Sequence, residues 1–195
     1  VTGATSPYKT LADLVAAAKA RPGELNYASS GNGTVAHLAM ELFQREAGIR
    51  LTHIPYKGAS QGLTDVISGQ VHVYASSVPT LLPQVKGGKL RALAVTSARR
   101  AADLSQTPTV AESGYPGFNA LTWFGLLGPA RLPAAVVTAV NAELGKALAL
   151  PALRKKLEEQ GVEITPGTPA EFGKLIAADM ARWGRIVKET GSKAD

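Results

Sequence analysis

The chain has 195 residues, 45% of them hydrophobic and 18% charged, with 21 Lys and Arg against 15 Asp and Glu for a net charge of +6. This composition belongs to a folded chain with one sizeable core or two small lobes, and no apolar run approaches the about 20 residues of a membrane span. Without cysteine there are no disulfides, thiolate metal sites or thiol nucleophiles, and aromatic residues at 6%, not interleaved with the basic ones, exclude a stacking platform for nucleic acid.

The first segment, KTLADLVAAAKA at 9–20, places Leu11, Leu14, Val15 and Ala18 at helical spacing, and RPGEL stops it. LNYA predicts a short buried strand. Thr34 then opens a helix to about Ala47, with Val35, Leu38, Ala39, Leu42 and Phe43 on one face and Gly48 at its end. IRLTHIPY alternates as a strand ending at Pro55, SQGLTDVISGQ gives a short helix, and VHVYA a third strand. VPTLLPQVKGG reads as a short helix with Pro79 near its start, and KLRALAVTS as a fourth strand. Strand, loop, helix and strand in succession is the pattern of parallel βαβ units.

From 114 to 130, GYPGFNALTWFGLLGPA reads as a segment crossing between two bodies. Two amphipathic helices follow. One runs over about 133–149 and resumes after Pro151; the other runs over about 169–190, with Thr168 as N-cap and Pro169 as first helical residue. These helices bring no sheet of their own to pack against.

The loop after the first strand of the βαβ run, Ser29, Ser30, Gly31, Asn32, Gly33 and Thr34, is short-chained and rich in hydroxyls. At the carboxyl end of a parallel strand it lies where open α/β sheets bind ligands. Its glycines permit the backbone of an anion-binding nest, and the amides after Thr34 face a carboxylate or phosphate. A capped turn with no ligand satisfies the same residues. The loops after the next two strands, PYKGAS and YASSVPT, repeat the small polar character, and three such loops on one edge make a polar cleft. There Lys57 is either an anion contact or a solvated charge, and Tyr56 either walls the pocket or joins the core.

GNGTVA matches G-x-G-x-x-A, but the acidic residue expected about 20 positions on is missing, and no glycine run leads into G-K-[ST]. His37 lies inside a helix and reads as a structural or supporting group, His53 and His72 read as strand packing, and Asp65 as a solvated side chain. No metal spacing appears, and no residue is nominated for catalysis.

The stretch LNYASSGNGTVAHLAMELFQREAGIRLTHIPYKGASQGLTDVISGQVHV, followed by GKLRALAVTS, PTVAESGYPGF and TWFGLLGPA, resembles the Bug-type substrate-binding proteins of tripartite tricarboxylate transporters, from about Lys9 to Gly191. The resemblance implies an α/β fold of the periplasmic-binding-protein type II kind, in which two lobes close on a small di- or tricarboxylate that a membrane permease then receives. It implies a periplasmic location, no cofactor, no reaction and no nucleic-acid partner. Residues 1–119 then form the ligand-binding lobe. Residues 120–195 form the crossing segment and the C-terminal helices of the other lobe, whose sheet is expected to be missing through N-terminal truncation. The expected ligand contacts are Ser29, Ser30, Gly31, Asn32, Gly33, Thr34, His37, Tyr56, Lys57, Gly58, Ser76 and Ser77.

Ser76 and Ser77 stand where family members commonly carry an acidic residue and an Asn, which favours a plain carboxylate over an amino acid. With half the clamp, the chain is expected to bind carboxylates weakly or not at all. The apolar stripes Val136, Val137, Val140, Leu144 and Leu148, and Phe172, Leu175, Ile176, Met180 and Trp183, are expected to attract a second copy. The alternatives are a ligand-sensing or protein-interaction domain without a transport role, and a small hydrolase or isomerase.

Overall fold

In the computed structural model, which describes residues 1–192, the chain runs β1 (Thr2–Gly3), α1 (Leu11–Ala20), β2 (Asn26–Ser29), α2 (Val35–Ala47), β3 (Thr52–Pro55), α3 (Ala59–Ser68), β4 (Val73–Tyr74), α4 (Val78–Lys86), β5 (Leu90–Arg91), α5 (Ala134–Ala149), α6 (Pro151–Glu158) and α7 (Pro169–Thr190). Contacts divide these elements into two units. Val1–Thr122 and the stretch from Ile186 onward form the first, and Trp123–Arg185 the second.

The first unit is built on a parallel three-stranded sheet in the order β3-β2-β4. Ala28 of β2 pairs with Ile54 on one side and Tyr74 on the other. Parallel neighbours require a crossover between them, and α2 and α3 supply it. Every loop from strand to helix therefore leaves from the same sheet edge. Beneath it, buried Ala28, Val66, Val71, Tyr74, Leu81 and Leu90 form a core cluster, with Ile54, Tyr56 and Leu63 packed against it. The apolar face of α1 (Leu11, Leu14, Val15, Ala18) is buried as its spacing requires. Phe43 of α2 meets Tyr115 and Phe118 edge-on at 5.3 and 6.3 Å.

Two expected strands are shorter than the sequence suggests. In VHVYA only Val73–Tyr74 joins the ladder, because the His72 N–H donates to the Asn26 side-chain oxygen at 2.9 Å instead of to a backbone carbonyl. KLRALAVTS was expected to add a fourth strand to the parallel series. Only Leu90–Arg91 forms a strand, which pairs antiparallel with β1 in a separate two-stranded sheet, and Val95 adds a single parallel bridge to Thr109. Its buried residues are Leu90, Leu93 and Val95, so the inward spacing slips from two residues to three and no continuous period-two face exists.

In the second unit, Trp123 donates its indole N–H to Asp179 at 2.7 Å and meets Phe172 edge-on at 5.2 Å. Pro151 starts α6, which is bent 76° from α5. α7 begins on a capping box. Thr168 Oγ1 accepts from the Glu171 N–H at 3.2 Å, and the Glu171 carboxylate accepts from the Thr168 N–H at 2.8 Å. No residue between Trp123 and Arg185 is buried. No single helix among the described residues is long and apolar enough to cross a membrane.

Candidate functional site

Because β2 is the central strand, its loop into α2 sits between the loop from β3 (Tyr56, Lys57, Gly58) and the loop from β4 (Ala75, Ser76, Ser77). Backbone bonds tie the three together at their roots: Tyr56 N–H donates to Ser29 O at 3.1 Å, and Ala75 N–H to Ala28 O at 3.2 Å. Gly31 and Gly33 take positive φ values of 138° and 72°. A side chain on Gly31 would make an ordinary contact 3.6 Å from the Tyr56 carbonyl, so it is the positive φ and not crowding that calls for glycine here.

Each loop runs into a helix N-terminus, and the ends of α2, α3 and α4 gather on one edge. Thr34 caps α2. Its hydroxyl accepts from the His37 N–H at 3.3 Å and donates to the Gly31 carbonyl at 2.8 Å. The amides of Val35 and Ala36 are left with no protein acceptor among the described residues. Gly58 and Ser77, the N-caps of α3 and α4, make no side-chain capping bond; Ser77 Oγ lies 2.9 Å from Thr80 Oγ1 instead. Within SSGNGT, PYKGAS and YASSVPT the only charged side chain is the exposed Lys57. Helix N-termini, one ammonium and no carboxylate give this edge a positive field suited to an organic anion.

Below the glycine turn lies a layer of polar side chains. Ser29 is fully buried, with its hydroxyl 2.7 Å from His53 Nε2 and donating to the Gly31 carbonyl at 3.1 Å. The His53 ring is stacked between Tyr27 at 4.7 Å and His37 at 4.1 Å. His37 is buried, and its Nδ1 accepts the Gly33 N–H at 3.0 Å. Glu41 accepts from the Tyr27 hydroxyl at 2.7 Å and from Gln44 at 2.9 Å, and sits 3.9 Å from His37 Nε2. Burial, and then the bond to Glu41, push the Tyr27 hydroxyl well above the usual phenol range.

The expected contacts thus separate into two levels. Ser30, Gly31, Asn32, Gly33, Thr34, Ser76 and Ser77 are half-buried at the sheet edge, with Lys57 and Gly58 exposed beside them. Ser29 and His37 lie in the layer underneath. Tyr56 packs its ring on the core cluster, as one of its two readings had it, and its hydroxyl donates to Asp65 at 2.6 Å. Burial first, and then that carboxylate, push Tyr56 up to about 12. Asp65 is therefore a tyrosine acceptor and not merely a solvated charge. Sequence reasoning also missed the partnership of His53 with Ser29, which nothing in a strand's alternation reveals. Among the described residues no group of His, Asp and Glu is arranged to hold a metal.

Comparison with known proteins fits this geometry. Protein BugT of Bordetella pertussis is 36% identical over 180 residues, covering 92% of this chain and 55% of BugT. Among solved structures, R. palustris Rpa4515 with adipate superposes with a TM-score of 0.88 at 36% identity, covering 97% of this chain and 64% of that one. The periplasmic binding protein BugD gives 0.84 at 27% identity, over 99% of this chain and 65% of that one. The chain spans about half the length of BugT and about two thirds of the two solved proteins. It shares their periplasmic-binding-protein α/β fold. The family described as tripartite tricarboxylate transporter family receptor matches residues 1–192, and the chain belongs to it.

Proposed function

We propose that this chain is the ligand-gripping part of a periplasmic solute-binding protein that captures a small di- or tricarboxylate and delivers it to a membrane permease, without catalysing a reaction. The observation that carries this reading is the convergence of the α2, α3 and α4 N-termini on one edge, with the Val35 and Ala36 amides unclaimed and Lys57 alongside. Adipate in the Rpa4515 structure and the periplasmic setting of BugD support the ligand class and the compartment. In this reading residues 1–119 hold the ligand and 120–195 belong with a second lobe. One wall encloses a small ligand poorly, so this chain alone is expected to bind carboxylates weakly or not at all. The apolar faces of α5 and α7 are proposed to draw a second copy of the chain.

The test is an amide NMR titration with adipate, citrate and malate, and with adipamide as the uncharged control. Val35 and Ala36 are expected to shift saturably with the carboxylates and not with adipamide. No movement at these amides, or equal movement with adipamide, overturns the reading. A micromolar dissociation constant from a monomer would overturn the statement that one wall is insufficient.

A further inference from the structure

The glycine turn is held from below by imidazoles at both ends. Gly33 donates its N–H directly to His37 Nδ1 at 3.0 Å. Gly31 donates its N–H to Ser29 Oγ at 3.3 Å, and that hydroxyl lies 2.7 Å from His53 Nε2. The two rings are stacked 4.1 Å apart, 9° from parallel. His37 is the third residue of α2, where a capping box places Glu or Gln to accept from the cap N–H. Here a histidine takes that place and accepts from the residue before the cap.

An imidazole nitrogen that accepts a hydrogen bond carries no proton, so the ring bonded to Gly33 is neutral, with its proton on Nε2. Protonation at Nδ1 would set an N–H against the Gly33 N–H, donor facing donor, and that bond is lost. We infer that His37 is a positioning residue of the carboxylate loop: its neutral imidazole holds Gly33 in the left-handed conformation, and protonating it releases the turn that presents the Val35 and Ala36 amides. The consequence for ligand binding rests on the function proposed above; the coupling of Gly33 to the ring does not.

Among the described residues, ionisable groups face His37 from at least three elements. His53 of β3 lies on its face, Tyr27 of β2 stacks on the far side of His53, and Glu41 of α2 lies at its edge. Glu41 favours the imidazolium and a charged His53 opposes it, and the titration measures the balance. The sign of the effect on binding separates positioning from direct contact. An imidazolium touching the ligand would strengthen anion binding on acidification, whereas release of the turn weakens it.

The experiment follows the His37 ring, the Gly33 amide and adipate affinity by NMR on the 195-residue chain from about pH 8 to about pH 5.5, the range in which an imidazole titrates. The Gly33 amide is expected to shift and lose exchange protection with the midpoint of the His37 ring. Adipate affinity is expected to fall about fivefold over the same range, the size of one lost hydrogen bond. His37→Asn keeps an acceptor at the δ position and does not titrate. It should leave Gly33 protected at every pH, and it shares any titration of adipate itself, so the difference between the two profiles belongs to His37. His37→Leu should leave Gly33 unprotected throughout; if it does not fold, the wild-type and Asn profiles decide. A Gly33 amide indifferent to the ring, or affinity that rises as His37 protonates, overturns the inference. A Gly33 amide that follows the ring while adipate moves no loop amide supports the positioning role and overturns the carboxylate reading instead.

Discussion

Tyr27 and Tyr56 show how single side chains under the loops tie the site to stability. Both hydroxyls donate to carboxylates, at 2.7 Å to Glu41 and 2.6 Å to Asp65, and both are held protonated by the fold, with burial as the leading cause. In the unfolded chain these phenols lose their protons near the ordinary value of 10.0, while the folded chain keeps them, Tyr56 up to about 12. Between those values the native state binds more protons than the unfolded state, so stability falls as pH rises. The contribution is complete below pH 10 and is lost as pH climbs through the folded values. Tyrosinate absorbance should show Tyr56 ionising near pH 12, with Tyr27 ionising only as the chain unfolds; a Tyr27 that titrates normally in the folded protein would contradict this. The sequence supplied the residue types here but not the pairings. Tyr56 and Asp65 are nine positions apart across a loop and a helix, and only the docking of α3 on the sheet brings them together. Ser29 was legible as part of a small polar loop, but its place at the end of a strand turns its hydroxyl inward to His53.

Among the elements, α3 depends most on close approach. At Gly62 an added methyl would lie 3.2 Å from Tyr56, 3.3 Å from Tyr74 and 3.5 Å from Ala28. Replacing a helical glycine by alanine gains about 1 kcal/mol of propensity. Against this, overpacking costs roughly 1–3 kcal/mol where the neighbours cannot move. These neighbours are pinned at their far ends: the Tyr74 hydroxyl donates to the Ala59 carbonyl at 3.2 Å and Tyr56 to Asp65. Crowding therefore wins, and Gly62→Ala is expected to lower stability by about 1 kcal/mol, read as a lower denaturant midpoint at unchanged slope. A more stable variant would show that the rings yield. The element order was legible wherever periodicity and end signals coincide, as in α2 between the Thr34 cap and Gly48 at φ 61°. It was not legible where side chains replace the ladder, as Asn26 does at His72, or where inward spacing slips, as it does after Leu90.

The two units of the molecule differ in what they bury. The first closes a core in which Tyr27, Ala28, Val66 and Tyr74 are fully covered. The second leaves Phe124 at 80%, Leu127 at 74%, Met180 at 72% and Leu126 at 64% exposed. It also carries an open groove of about 430 Å³ lined by Leu126, Ala139, Val140, Glu143, Leu144 and Ala147. The helical spacing in the sequence is borne by these helices, but what covers their faces cannot be read from spacing, which reports an apolar stripe and not its partner. Apolar surface of this extent favours association over exposure to water. The net charge of +6 opposes that association at low ionic strength and is screened by salt. Light scattering on the 195-residue chain is therefore expected to show a mass that rises with concentration, and rises further with added salt. Val140, 47% exposed on the groove, is the place to interrupt the contact. Val140→Lys should lower the association without lowering the denaturant midpoint, because that side chain supports no buried core. A strict monomer at high concentration and high salt would show that these faces do not find one another. Equal association of Val140→Lys and the parent chain would show that the contact lies elsewhere.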